Sequence, residues 1–341
     1  MTTLMLAEAS EAPAAVARLI AGNEAACKAL GARLRAKPPR FVVTCARGSS
    51  DSAATFATYL IEIALNTVVA SVGPSVSSIY GARPKMADAL FIAISQSGRS
   101  PDIVALADAA RKDGALTVAL VNDTASPLAE RCEIVLPLHA GPEKSVAATK
   151  SYIAALAGIL QLVAHWSGEA ALAIAVARLA DDLAAALRLD WSPALPLLAR
   201  IANLYVAGRG PGFATALEAG IKIKETCGFH AEALSAAELM HGPMTLAGPD
   251  FPVLIFSQDD ASLAGIRDLA RTLGQRGVPV IAGGPAADVA SLPLPSTAGA
   301  HPFVQPVLLI QSFYPLVEAL SRARGRDPDR PPHLLKVTET V

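Results

Sequence analysis

One stretch of this chain is written twice. The first copy runs FVVTCARGSSD, then FIAISQSGRS, then TVALVND; the second runs LYVAGRGPG, then VLIFSQDDAS, then VPVIAGGP. Arg47 pairs with Arg209, Ser95 with Ser257, Gln96 with Gln258 and Val118 with Val280, each 162 positions apart. A unit this long exceeds any solenoid repeat, so the chain holds two copies of one domain rather than an array. Its 341 residues agree with about two domains, and the 52% of hydrophobic residues is enough for two cores. Only the first copy keeps hydroxyl-rich loops; the second reads Gln258-Asp259-Asp260 where the first has serines.

FVVTC, LFIAIS, TVALV and EIVLPL are short apolar runs that end in turn residues, the pattern of parallel strands buried on both faces. Helical segments are expected between them at 52–65, 101–113 and 124–131. This alternation predicts an α/β fold with parallel, flavodoxin-like sheets flanked by helices. Helical periodicity over 12–36 (Val16, Leu19, Ile20, Leu30, Leu34) stops at Pro38-Pro39. Two Ala/Leu-rich helices broken at Ser167-Gly168 join the copies. The expected organisation is a helical segment over 1–40, a first domain over 41–166, a helical linker over 167–197, a second domain over 198–325 and a tail over 326–341. By composition alone, the Pro- and charge-rich tail reads as disordered.

The balance of 29 basic and 30 acidic residues leaves no electrostatic footprint for nucleic acid or an anionic membrane. No basic segment precedes an apolar stretch at the N-terminus, and the apolar run from Ser151 to Ala164 is shorter than the ~18 residues of a membrane span. That run is expected to be a buried interface helix. Cys27, Cys45, Cys132 and Cys227 are scattered without CxxC spacing, which suits reduced thiols. The expectation is a soluble, cytoplasmic protein.

Ligands of open parallel sheets bind at the carboxyl ends of the strands. Ser49 and Ser50 follow one strand, and Ser95, Gln96, Ser97 and Ser100 follow another, each group leading into a helix. Serine there serves equally as a helix cap or as a donor to an anion; two such loops side by side favour an anion. No GxxxxGKS/T is present, and Gly208-Arg-Gly-Pro-Gly212 is a poor dinucleotide turn. Downstream, Glu218, Lys222 and Glu225 fall at i, i+4 and i+7 on one helical face. They form either a solvated salt-bridge ladder or a carboxylate tuned as a general base. His230 and His241 follow, without metal-ligand spacing, so neither metal nor cofactor is expected.

Together RGSSD, SQSGRSPD, GPEKSVAATKSY, ALEAGIKIKE, HAEALSAAELMHGPM and the terminal HLLKVTETV resemble the sugar isomerase (SIS) domains of glucosamine-6-phosphate synthase, in order and over about 300 residues. The chain is still more similar to stand-alone proteins of two SIS domains, among them a class of glucosamine-6-phosphate deaminases. The resemblance implies that Ser49, Ser50, Ser95, Gln96, Ser97 and Ser100 bind a sugar phosphate, with Val146 contacting substrate. It implies Glu225 as the group that moves a proton between C1 and C2. His241 would assist ring opening from the partner subunit of a homodimer, and Lys336 would stand over the site in an ordered lid. Glu218 and Lys222 would support Glu225. Ala148 stands where the synthase has a serine, which favours the deaminase branch. The synthase's glutaminase cysteine follows its first Met; here Thr2 does, and glutamine hydrolysis is not expected. The activity implied is conversion of glucosamine 6-phosphate to fructose 6-phosphate and ammonia. Alternatives are an aminotransferase-type isomerase domain, galactosamine or fructosamine 6-phosphate as substrate, and a non-catalytic sugar-phosphate sensor.

Overall fold

The structure is a computed structural model that describes residues 2–336. Residues 337–341, the end of the expected tail, lie outside the described residues. In chain order the elements are α1 (Leu4–Ala36), β1 (Val42–Cys45), α2 (Ser49–Leu65), β2 (Val69–Ser71), α3 (Ser75–Ser78), β3 (Leu90–Ser95), α4 (Pro101–Lys112), β4 (Leu116–Val121), α5 (Pro127–Arg131) and β5 (Ile134–Pro137). Then come α6 (Lys150–Ser167), α7 (Ala170–Ala186), α8 (Leu195–Leu198), β6 (Asn203–Gly208), α9 (Pro211–Lys222), β7 (His230–Ser235), α10 (Ala236–Met240), β8 (Val253–Phe256), α11 (Leu263–Gln275), β9 (Val280–Gly283), β10 (Leu292–Leu294) and α12 (Gln305–Ala323).

Two five-stranded sheets result, ordered β2-β1-β3-β4-β5 and β10-β9-β8-β6-β7, with every pairing parallel. Numbered within each repeat, the order is the same, 2-1-3-4-5, the flavodoxin-like arrangement. The repeat persists in the helices. α4 and α11 start 162 positions apart, and α2 matches Pro211–Cys227, which is α9 continued by a π-helical turn over Ile223–Cys227.

Each sheet has its own core. Val43, Phe91, Ala93, Ile103, Leu106 and Ala119 pack together in the first, and Tyr205, Ile255, Ile266, Leu269 and Val280 in the second. The central strands β1, β3 and β8 are buried at every residue, as continuous apolar runs require. α11 buries Leu263, Ile266, Leu269, Ala270 and Leu273, one stripe at helical spacing. The Ser151–Ala164 run lies in α6, which is buried on all sides over that stretch. No helix of the described residues is long and apolar enough to cross a membrane.

The chain divides into two compact units. Of the described residues, one comprises 14–143, 150–177 and 335–336 and holds the first sheet; the other comprises 2–13, 144–149 and 178–334 and holds the second. The tail up to Leu334 is ordered within the second of these: Asp329 accepts hydrogen bonds from the Leu4 and Met5 amides at 2.7 and 2.8 Å. Those are orphan donors at the start of α1 that the helix cannot satisfy itself. Two strands escape the sequence pattern. β2 has three residues, two of them exposed, and β7 alternates exposed and buried positions at its start rather than running apolar.

Candidate functional site

In the first repeat the chain leaves β1 through Arg47 and Gly48 into α2. Gly48 takes φ 56° and ψ −132°, a conformation open to glycine and hostile to other residues. That turn sets Ser49 and Ser50, both half-buried, in the first turn of α2. From the neighbouring strand β3 the loop Ser95–Ser100 enters α4. The buried Ser95 hydroxyl accepts the Gly98 amide at 3.0 Å, and the Ser97 hydroxyl accepts the Arg99 amide at 3.3 Å. Gly98 at φ 63° admits no side chain, because a Cβ would fall 2.1 Å from the Ser126 hydroxyl. Ser100 occupies the cap position of α4 without a side-chain cap bond. No side-chain hydrogen bond is recorded among the described residues for Ser49, Ser50, Gln96 or Ser100. Both loops leave the carboxyl ends of the adjacent strands β1 and β3, where the strand order reverses.

Arg47 braces the two loops together. Its guanidinium holds the fully buried Asp102 of α4 in a forked contact, Nε at 3.0 Å and Nη2 at 2.8 Å from Oδ2. Burial, with Asp102 nearby, pushes the Cys45 thiol up to about 12. Burial likewise lifts Cys27 and Cys132 to about 12 and Cys227 to about 11. None of the four is a thiolate nucleophile at neutral pH.

In the second repeat the acidic cluster is not a solvated ladder. Lys222 is 1% exposed and Glu218 0% exposed, with Lys222 Nζ 3.7 Å from Glu218 Oε1 and 2.5 Å from Glu225 Oε2. The Tyr314 hydroxyl of α12 donates to Glu218 at 3.3 Å. Glu225 sits in the π-helical turn and keeps 28% of its side chain in solvent. A widened turn of this kind is a frequent mark of functional sites. Here it re-aims Glu225 relative to an α-helix while the neighbouring i, i+3 contact to Lys222 survives. His230 opens β7 and is exposed; His241 ends α10 and is exposed, its amide bonded to the Glu238 carbonyl.

Lys336 stands beside a residue that sequence reasoning passed over. Its Nζ lies 3.1 Å from Glu143 Oε2, and Glu143, 0% exposed at the side chain, also accepts the Ser151 amide at 3.1 Å and the Ser151 hydroxyl at 2.5 Å. The only sequence sign of Glu143 is an acid in GPEK between apolar runs. Val146 and Ala148 are half-buried in the irregular stretch that follows. Among the described residues, no group of three His, Cys, Asp or Glu is placed to hold a metal ion.

The matching crevice of the second repeat is filled by its own side chains. Gly210, at φ 57° and ψ −137°, repeats the backbone of Gly48. Gln258 Nε2 contacts the Arg209 carbonyl at 2.8 Å, Asp260 Oδ2 at 2.8 Å and the Ser262 hydroxyl at 3.1 Å. Asp260 Oδ1 accepts both the amide and the hydroxyl of Ser262. A carboxylate in this position excludes an anion.

A family model for the SIS domain matches residues 36–165 and 197–282. An isomerizing glutamine–fructose-6-phosphate aminotransferase of Thermotoga maritima is 33% identical over 269 residues, 72% of this chain and 43% of its own. That of Symbiobacterium thermophilum is 31% identical, covering 97% of this chain and 58% of its own. The chain thus spans about half the length of these curated relatives. Among solved structures, a protein of Silicibacter pomeroyi assigned as a phosphosugar isomerase matches with a TM-score of 0.92 and 43% identity, over 96% of this chain and 100% of that one. A glucosamine-6-phosphate deaminase of Thermotoga maritima shares the fold, with a TM-score of 0.74 at 19% identity over 96% of this chain and 100% of that one.

Proposed function

The chain belongs to the SIS-domain family, and on that premise we propose that it is a sugar-phosphate isomerase that deaminates glucosamine 6-phosphate to fructose 6-phosphate and ammonia. The observation that carries this reading is Glu225: a part-exposed carboxylate held by a buried lysine on a π-helical turn. The first-repeat serines hold the phosphate, remote from the reacting carbons, so that binding energy orients C1 and C2.

In the reaction proposed, ring opening assisted by His241 exposes the C1 aldehyde, which acidifies the C2 hydrogen. Glu225 takes that proton, the C2–H electrons form the C1=C2 bond, and the C1=O π electrons pass to O1, which takes up a proton from solvent to give an enolamine. Returning the proton to C1 draws the nitrogen lone pair into a C2=N bond, and loss of one N–H proton to solvent leaves an imine at C2. Water adds to C2 and the C–N bond breaks, releasing ammonia and the ketose phosphate. Lys222 keeps the Glu225 carboxylate in one orientation through these proton transfers. Lys336 is held in place by its 3.1 Å contact to Glu143 and serves the site from that position. Val146 flanks the substrate, and Glu218 anchors Lys222.

The protein acts as a homodimer in this reading, with His241 serving the partner's site. In support, His241 is exposed and lies between two exposed apolar residues, Met240 at 44% and Leu246 at 66%. Mixing inactive His241→Ala and Glu225→Gln proteins then regenerates roughly a quarter of wild-type activity, because half the dimers gain one intact site. No recovery on mixing sinks action in trans. Ammonia and fructose 6-phosphate release from glucosamine 6-phosphate, measured beside galactosamine and fructosamine 6-phosphates, tests the substrate; no ammonia from any of them overturns the deaminase.

A further inference from the structure

With its β6–β8 crevice closed, the second repeat opens instead one strand further along. A cavity of about 260 Å³ lies beyond the carboxyl ends of β8, β9 and β10. Its walls are the loops carrying Asp259, Gly284-Pro285 and Ser296–Gly299, and its floor is Leu308, Leu309 and Ser312 of α12. The walls are pinned from inside. Gln305 Oε1 accepts the Asp259 amide at 2.7 Å and its Nε2 donates to the Ala300 carbonyl at 2.9 Å, so one side chain fixes two of the three loops. The third is fixed by Gly284, at φ 88°, which presses so closely on Ser257 that a Cβ would lie 2.0 Å from its carbonyl oxygen. The cavity is therefore preformed.

Its chemistry differs from that of the first repeat. Lysine and arginine are absent from the described residues that line it, and Asp259 puts a carboxylate at the mouth. Among the described residues, the Asp259 carboxylate and the hydroxyls of Ser296 and Thr297 make no hydrogen bond. Leu308 and Leu309, 2% and 3% exposed, offer an apolar base for a ring face. The volume is below the ~300–1,000 Å³ usual for drug-sized ligands, which suits one monosaccharide. We propose that the second repeat carries its own binding site, for a hexosamine without a phosphate: hydroxyls to Ser296 and Thr297, the ammonium to Asp259, the ring on Leu308 and Leu309. A phosphate is repelled there by Asp259, so the two repeats divide sugars by charge.

The test is calorimetry of free glucosamine against the full-length protein, with binding read independently of turnover. Expected results are saturable binding to wild type and to Ser97→Asp, at least about tenfold weaker binding to Asp259→Asn, and none to Thr297→Trp, which fills the cavity from its rim. Melting temperatures check that both cavity variants fold. Asp259→Asn alone also separates the cases, since it changes charge without volume. The proposal is overturned if glucosamine does not bind wild type, or if Ser97→Asp abolishes binding while Thr297→Trp retains it.

Discussion

The β1–β3 crevice of the first repeat and the β6–β8 crevice of the second share one glycine turn, Gly48 and Gly210, and differ in what lies against it. In the first, Ser49, Ser50, Gln96 and Ser100 make no side-chain hydrogen bond among the described residues. In the second, Gln258, Asp260 and Ser262 bond one another across the same turn. The lesson is that a duplicated scaffold keeps its turn geometry whether or not it keeps a ligand. Side-chain acidity decides which copy can take an anion.

The largest effect that sharpens this division is at Glu225. Glu225→Gln should lower turnover by about 10²–10⁴-fold, the usual worth of a positioned general base, while the first repeat still binds fructose 6-phosphate in calorimetry. Unchanged turnover would remove Glu225 from the proton transfer. Next, Ser97→Asp brings the second repeat's acid into the first. KM for the sugar phosphate should rise roughly 10–100-fold, about 1.4–2.7 kcal/mol, and an unchanged KM would break the assignment of that loop to phosphate. Glu143→Gln frees Lys336 from its charge partner; kcat should fall about tenfold, and stability by about 1–3 kcal/mol as the Ser151 contacts lose their charged acceptor. Normal kcat in that variant would separate the latch from catalysis.

The smallest effects bear on the scaffold. The hydrogen bond from His165, at 3.0 Å, holds the Glu24 carboxyl below its ordinary 4.5. A depressed acid stabilises the fold above its unfolded pKa and loses that contribution as pH falls through the folded one. Glu24→Gln should therefore be slightly less stable than wild type at pH 7, and the difference should fade as pH drops below about 4.5; an equal loss persisting in acid would contradict the linkage. Iodoacetamide at pH 7.5 should leave activity unaltered, since all four thiols are buried and raised to about 11 or 12.

Much of this was legible from residue order. Offsets between matched strands announced the duplication, and FVVTC and LFIAIS declared parallel strands because burial on both faces removes the need for alternation. Ser167-Gly168 marked the break between α6 and α7 where it falls. The helix expected over 12–36 starts eight residues earlier, at Leu4, because α1 continues through Pro13 and takes its cap from Asp329, far away in sequence. The ladder reading of Glu218 and Lys222 failed for the same reason: α12 supplies Tyr314 and the cover that local spacing does not encode. Glu143 was invisible because its partners, Ser151 and Lys336, meet it only in the fold. The π-helical turn under Glu225 left no periodic trace either, since its five residues read like any helix.

The matching angles of Gly48 and Gly210 make the two turns interchangeable parts. A protein engineer wishing to charge the second socket with a phosphate has no main chain to redesign at that turn, although the loop after β8 must bend to the φ of 63° that Gly98 takes in the first copy. Exchanging Asp259, Asp260 and Ala261 for the Ser-Gly-Arg of the first copy rewrites the docking chemistry in three codons. The duplication thus stores a spare part, already mounted.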